Sequence, residues 1–186
     1  TPGLSIVTPR GGQRGAEVET VFHGERVGDA QEILFYEPGI AVGVMYTSNA
    51  AQLKVKFKLD PAARLGQHVV RVRTAGGISE ARTFSIGQYP VVEEKEPNND
   101  FTQPQKIQLN TTVQGVAGNE DIDYYLVEAK KGQRLTAEVE AMRLGSALVD
   151  CYVAILDLKR FELAACDDSA FALQDPVASV LAPGDG

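Results

Sequence analysis

The residues best suited to chemistry lie in one stretch, Glu93-Glu94-Lys95-Glu96-Pro97-Asn98-Asn99-Asp100, where seven of eight are acidic, amide or proline. Nowhere else does the chain concentrate carboxylate and amide oxygens so densely. A hard cation such as Ca²⁺ takes about six to eight oxygen ligands around one ion. On spacing alone the stretch also reads as a charged, proline-stiffened linker that binds nothing.

Catalytic chemistry finds little to work with. The two histidines, His23 and His68, sit in no H-E-x-x-H zinc motif. There is no G-x-S-x-G elbow and no phosphate-binding loop. Asp121 and Asp123 are too close in sequence, and on one side of a strand, to face each other across a glycosidic bond. An enzyme is not expected.

These residues need a scaffold, and 186 residues allow one large or two small domains. With 44% hydrophobic and 23% charged residues, a packed core is expected. No apolar run approaches the ~20 residues of a membrane span. Residue 1 is Thr, so the N-terminus reads as a processed end or a boundary within a longer protein. Residues 1–88 carry ten Lys/Arg against eight Asp/Glu, and residues 89–186 eight against seventeen. The acid belongs to the second half, where a cation is a more natural counterpart than nucleic acid.

The first segment, 1–88, reads as β throughout. In Gln52–Leu59, Leu53, Val55, Phe57 and Leu59 alternate with Lys54, Lys56 and Lys58, the period of a half-buried strand. Further strands are expected at 4–8, 16–23, 32–36, 40–46, 68–74 and 79–86, with Gly and Pro between them. Asp60-Pro61 is placed to open one short helical turn. Seven short strands in this length predict an immunoglobulin-like sandwich. The lysine row, continued by Arg71 and Arg73 if their strand pairs alongside, offers a surface to an acidic polymer. Otherwise it is a solvated face or a lysine-guarded edge.

Ser5-Ile6-Val7-Thr8-Pro9-Arg10-Gly11-Gly12, Gly15, Phe22-His23-Gly24 and Val72-Arg73-Thr74-Ala75-Gly76-Gly77-Ile78-Ser79 resemble an IPT/TIG-type immunoglobulin-like domain over most of residues 4–86. The resemblance implies a spacer or interaction module and brings no catalytic residue.

The second segment is expected to form strands at 112–116, 123–128, 134–141, 149–156, 161–166 and 176–181. Lys130-Lys131-Gly132-Gln133 reads as a hairpin loop. After it, Leu135, Ala137, Val139 and Ala141 alternate with polar residues. Glu96-Pro97-Asn98-Asn99-Asp100, Leu109 to Gly115, Asp121-Ile122-Asp123-Tyr124-Tyr125-Leu126-Val127, Lys131-Gly132-Gln133-Arg134-Leu135-Thr136 and Cys166-Asp167-Asp168-Ser169 together resemble a bacterial pre-peptidase C-terminal domain. This group is structurally related to the collagen-binding domains of clostridial collagenases. The resemblance, over about 94–186, implies a jelly-roll-type β-sandwich attached to a secreted or surface protein. It also implies a calcium site built from the linker and a later acidic loop. Carried over, the ligands are Glu94, Glu96, Asn98 and Asn99 from the linker, with Asp121 and Asp123, and Glu120 beside them, from the loop.

Two departures from that pattern stand out. The chain reaches Gly186 just where a final, typically Tyr-rich strand would follow, and Arg160 occupies a hairpin position that usually holds Gly, which would either put a non-Gly residue at positive φ or alter the turn. A hairpin closed at Asp157 and Phe161 sets Ile155 opposite Leu163 and Val153 opposite Ala165. That puts Cys166 across from Tyr152 and points Cys151 to the other face, so the two cysteines are expected not to bond, unless a bulge intervenes.

The expectation is therefore an all-β chain of two sandwiches in tandem: an immunoglobulin-like domain at 1–88, an acidic linker at 89–100, and a jelly-roll-type domain at 101–186 lacking its last strand. Its expected role is a non-catalytic accessory region of a larger bacterial secreted, cell-surface or periplasmic protein. It would bind or present an extracellular protein or polysaccharide, with Ca²⁺ stiffening the linker. A carbohydrate-binding module and a purely structural spacer are the alternatives; with no Trp and 7% aromatic residues, a sugar-stacking platform is poorly supplied.

Overall fold

The computed structural model describes residues 1–118, 120–145 and 148–186. The chain is all-β, and its one helical element among the described residues is a single 3₁₀ turn, Met142–Leu144. Among the described residues no helix is long and apolar enough to cross a membrane.

It divides into two compact units, Thr1–Gln105 with Asn110–Tyr125, and Lys106–Leu109 with Leu126–Gly186. The division falls later than the change in composition at residue 88. The 89–105 and 110–125 segments group with the first sandwich because the backbone ties them there. Arg10 N donates to Gln114 Oε1 at 2.6 Å, and Thr112 N donates to the Pro90 carbonyl at 2.9 Å.

The first unit opens with β1 (Gly3–Thr8), β2 (Gly11–Gln13), β3 (Glu17–Glu25), β4 (Ala30–Phe35) and β5 (Ile40–Asn49). There follow β6 (Gln52–Leu59), β7 (Gly66–Thr74), β8 (Gly77–Ile78) and β9 (Arg82–Gly87). One sheet has the order β1-β3-β6-β5; the other runs β2-β9-β7-β4, with β8 added to β7. The alternation read from β6 holds along its whole length: its apolar residues are buried and its lysines exposed. Leu4, Val7, Phe22, Ile33, Leu53, Val70, Val72 and Ile86 fill the space between the sheets. Phe57 sits at the centre, edge-to-face with Phe22, Phe35 and Phe84 at centroid distances of 5.9, 5.2 and 5.4 Å. Such contacts add about 0.5–1.5 kcal/mol each beyond the area they bury. Asp60-Pro61 forms a hydrogen-bonded turn, with Ala63 N on the Asp60 carbonyl, and not a helix.

The extended basic row is not formed. Arg71 and Arg73 lie on β7, in the opposite sheet from β6, where Arg73 pairs with Glu32 at 2.8 Å and Arg71 donates to the Ser79 carbonyl. Lys58 and Lys56 stand opposite Glu17 and Glu19 of β3, and Lys56 reaches Glu17 at 2.7 Å. Nor do the lysines guard an edge, since β6 is an interior strand between β3 and β5.

Past β9 the strands shorten: β10 (Val91–Glu93), β11 (Gln105–Lys106), β12 (Thr112–Gln114) and β13 (Tyr125–Leu126). β10 lies parallel to β12, and β11 pairs with β13. The remaining strands are β14 (Arg134–Glu138), β15 (Val153–Leu156), β16 (Glu162–Cys166) and β17 (Val177–Leu181). β14 pairs with β17 and β15 with β16, both antiparallel. The Lys130–Gln133 turn forms, with Gly132 at φ 79° and Gln133 N on the Lys130 carbonyl. It is not a hairpin loop, because β13 and β14 take their partners elsewhere.

Arg160 has φ 68°, the first of the two alternatives its place in the turn left open. Asp157 holds that turn by accepting from Lys159 N and Phe161 N. The register beyond differs from expectation by one residue. A bulge sets Ile155 opposite Ala164 and Val153 opposite Cys166, letting two consecutive apolar residues, Leu163 and Ala164, both lie half-buried. Cys166 therefore lies on the same face as Cys151 but diagonal to it. Diagonal neighbours stand about 7–8 Å apart, beyond ordinary disulfide reach. Both thiols are free.

Asp175 anchors the second unit. It is buried and accepts from the backbone N–H groups of Ala141, Met142 and Arg143 and from Arg143 Nε at 2.8 Å. Burial opposes its ionisation, but these donors outweigh that and hold the carboxyl below its ordinary value.

Candidate metal centre

Residues 93–100 follow β10 and are pinned by backbone and amide bonds. Glu94 N donates to the Gln114 carbonyl at 2.9 Å. The Gln105 side chain accepts from Lys95 N at 2.8 Å and donates to the Glu93 carbonyl at 3.1 Å, bracketing the turn into the stretch. Asn98 is fully buried, 0% exposed, and its carbonyl accepts from Tyr124 N at 2.9 Å. That last bond draws the Asp121–Tyr125 segment against the stretch, while Phe101 packs edge-to-face on Tyr124 at 5.7 Å.

Glu94, Glu96 and Asp123 consequently converge, each offering a carboxylate oxygen within 4.8 Å of the others. Oxygens bound to one Ca²⁺ at about 2.3–2.6 Å lie at most about 5 Å apart, whereas Mg²⁺ at about 2.0–2.1 Å needs them within about 4.2 Å. The cluster lies within the span of one Ca²⁺. Asn98 Oδ1, and Asp123 Oδ1 from one of these carboxylates, are buried and have no hydrogen-bond partner. A buried polar atom left unpaired costs about 1–3 kcal/mol, which a cation would recover.

Three close carboxylates also repel, by about 1–3 kcal/mol per pair between water-like and protein-surface dielectric. Burial first, then the charges on Glu94, Asp121 and Glu96, push the Asp123 carboxyl up from 3.8 to about 6.

Of the six expected ligands, four share the centre: Glu94, Glu96, Asn98 and Asp123. Asn98 Nδ2 donates to Glu94 Oε1 at 3.3 Å, and Asn98 N to Glu96 Oε2 at 3.1 Å. The other two engage each other, Asn99 Nδ2 donating to Asp121 Oδ1 at 2.7 Å. Asp121 Oδ2 is further held by Gly118 N at 2.8 Å, so Asp121 reaches the centre through its charge. Glu120 is exposed at φ 55° and outside the carboxylate cluster. Asp100 turns away, its carboxylate taken by Thr102 N and Oγ1.

Two supporting residues escaped the sequence reading. The Tyr125 hydroxyl donates to Glu94 Oε1, and burial together with that bond raises its phenol pKa. Gly115 leaves room for the Glu94 carboxylate, which a Cβ there would overlap, and the next residue, Val116, donates its N–H to Glu94 Oε2 at 3.2 Å. The glycine was visible in the sequence, within the Leu109–Gly115 motif and the strand expected at 112–116, but no role beside Glu94 was read from it.

No family model matches the chain, and no curated protein sequence does. Among solved structures it is similar to SGBP-B of the Bacteroides ovatus mixed-linkage glucan utilization locus, determined in complex with a mixed-linkage heptasaccharide. Identity is 9% and the TM-score 0.37, over 99% of this chain and 36% of that one. The chain thus spans about a third of that protein, a likeness too slight to bear on function.

Proposed function

We propose that the chain is a non-catalytic, calcium-binding accessory region of a larger secreted or cell-surface protein, in keeping with its resemblance to immunoglobulin-like and pre-peptidase C-terminal domains. The observation that carries this reading is the convergence of three carboxylates, one of which has a buried, unpartnered oxygen, Asp123 Oδ1, beside Asn98, whose Oδ1 is likewise buried and unpartnered. Glu94, Glu96, Asn98 and Asp123 would hold the ion, with Asp121 adding charge beside them. A bound Ca²⁺ supplies two positive charges that cancel the mutual repulsion of the carboxylates and satisfy the orphaned oxygens. Tyr125, Val116 N–H and Asn98 aim Glu94, while Gln105 holds the backbone of the stretch. Stiffened in this way, the region presents an extracellular protein or polysaccharide target to neighbouring domains.

Calorimetric titration with Ca²⁺ tests the site. One site per chain is expected, with Mg²⁺ binding at least about tenfold more weakly because of its tighter octahedral demand. Tyr125 beside the cluster should also sensitise Tb³⁺ luminescence, and Ca²⁺ should quench it by competition. Absence of Ca²⁺ binding up to ~10 mM, past the weak extracellular range, would leave the stretch an ordinary acidic linker. Arrays of matrix proteins, glycans and cell-wall polymers distinguish presentation of a target from plain spacing.

A further inference from the structure

Several arginines of the first unit close on an acceptor through the guanidinium. Arg64 pairs with Glu37 at 2.6 Å and Arg73 with Glu32 at 2.8 Å. Arg71 donates to the Ser79 carbonyl at 2.8 Å. Arg82 donates through Nε to the Ser5 carbonyl at 2.7 Å and through Nη1 to the Ala81 carbonyl at 2.8 Å. Arg10 is different. It is half-buried, and among the described residues its guanidinium has neither a hydrogen-bond nor an ion-pair partner. Its Nη1 is enclosed and unpaired. The backbone beneath is nonetheless fixed on both sides: Arg10 N donates to Gln114 Oε1 at 2.6 Å, and the Arg10 carbonyl accepts from Ser85 N at 2.9 Å. The charge that acts on Arg10 is a second cation. Burial first, then Arg82, hold its guanidinium below the ordinary value. Glu80 does not fill the gap, since it accepts from Leu4 N at 3.1 Å and faces Arg82 and Arg71. A charge taken partly out of water is ordinarily paired, because its lost hydration is otherwise uncompensated.

We propose that Arg10 and Arg82 form a subsite for an oxyanion, a sulfate or carboxylate group borne by an acidic polysaccharide or free in solution. Arg82 Nη2 has no partner among the described residues. An anion between the two guanidiniums is therefore held from both sides by charge-assisted hydrogen bonds, and the planar fork of each matches the oxygens of such a group. Both arginines are half-buried and not enclosed, which leaves the anion a way in; the enclosed Nη1 gains through charge and not through contact. A neutral hydroxyl would leave both cations uncompensated. The surroundings do not repel an anion, since residues 1–88 carry ten Lys/Arg against eight Asp/Glu. None of these residues is a ligand of the proposed calcium centre, so the subsite stands apart from that reading.

The test is thermal unfolding of the full chain in calcium-free, low-salt buffer, with sodium sulfate at about 20 mM or sodium chloride at equal ionic strength. Sulfate should raise the melting temperature of the parent by at least about 2 °C more than that of Arg10→Met. The variant subtracts the general stabilising effect of sulfate on any folded chain. Arg14→Met removes an exposed cation nearby in sequence and should respond like the parent. In chloride alone, Arg10→Met should be no less stable than the parent, because it removes a cation that has no partner. Dextran sulfate acting at a lower concentration of sulfate groups than the free ion assigns the polymer as source, and equal action assigns the ion. Parent and Arg10→Met responding alike overturns the proposal. So does an Arg10→Met chain markedly less stable in chloride, or unsulfated dextran acting as strongly as dextran sulfate.

Discussion

Asp123→Asn separates a carboxylate held for a cation from one held for the fold, because the two roles have opposite signs. The amide keeps the volume of the side chain and removes its charge. In the calcium-free chain the Asp123 carboxyl lies at about 6 when folded, above its ordinary 3.8, through burial and the charges of Glu94, Asp121 and Glu96. The folded form thus favours neutral Asp123. The stability this brings is fully present below about pH 4 and is lost as pH rises through about 6. A shift of this size amounts to about 3 kcal/mol at most, and solvent screening of a partly exposed group reduces it to about 1–2 kcal/mol.

At about pH 7.5 in chelator, Asp123→Asn should therefore be more stable than the parent chain by ~1–2 kcal/mol, an advantage that disappears below about pH 4. In calcium at a hundredfold excess over its dissociation constant the parent gains ~2.7 kcal/mol, and the variant gains little. The order of stabilities reverses. Urea unfolding of both proteins across pH, with chelator and with calcium, reads every arm. A variant less stable than the parent in chelator, or stabilised as strongly by calcium, would refute the reasoning.

Other perturbations test the surroundings. Gly115→Ala replaces no ligand, yet its Cβ overlaps the Glu94 carboxylate, so calorimetry should show calcium affinity falling at least about tenfold through displaced ligand geometry. Tyr125→Phe removes the donor to Glu94 and should cost ~1.5–3 kcal/mol as a hydrogen bond to a charged group, read by chemical unfolding in calcium. Asp175→Ala takes the acceptor from three backbone N–H groups and one of two carboxylate partners from Arg143, which keeps Glu138, and should destabilise the second unit by about 3 kcal/mol or more, seen as a downward shift of its unfolding transition. Thiol labelling of denatured, unreduced protein should count two free groups, Cys151 and Cys166.

What local chemistry dictates was legible in the order of residues. The alternation in Gln52–Leu59 fixed both the strand and which face is wet, because side chains on a strand point to opposite sides in turn. Arg160 was readable as a residue that takes a positive φ or alters its turn, and the oxygen-rich stretch was readable as a dense run of carboxylate and amide oxygens, without a choice between a cation site and a charged linker. What the sequence left open depends on closures between distant residues. Glu94 meets Asp123 only because Asn98 O and Tyr124 N bond across the intervening chain, a closure that separated Asp121 and Asn99 into a pair of their own. One bulged residue at Leu163 moved Cys166 to the face of Cys151, since a one-residue slip reverses every side chain beyond it. The lysine row lost its arginine continuation for a similar reason: β7 pairs in the other sheet. Periodicity states which face a residue takes, but partner and register are decided by packing over the whole core.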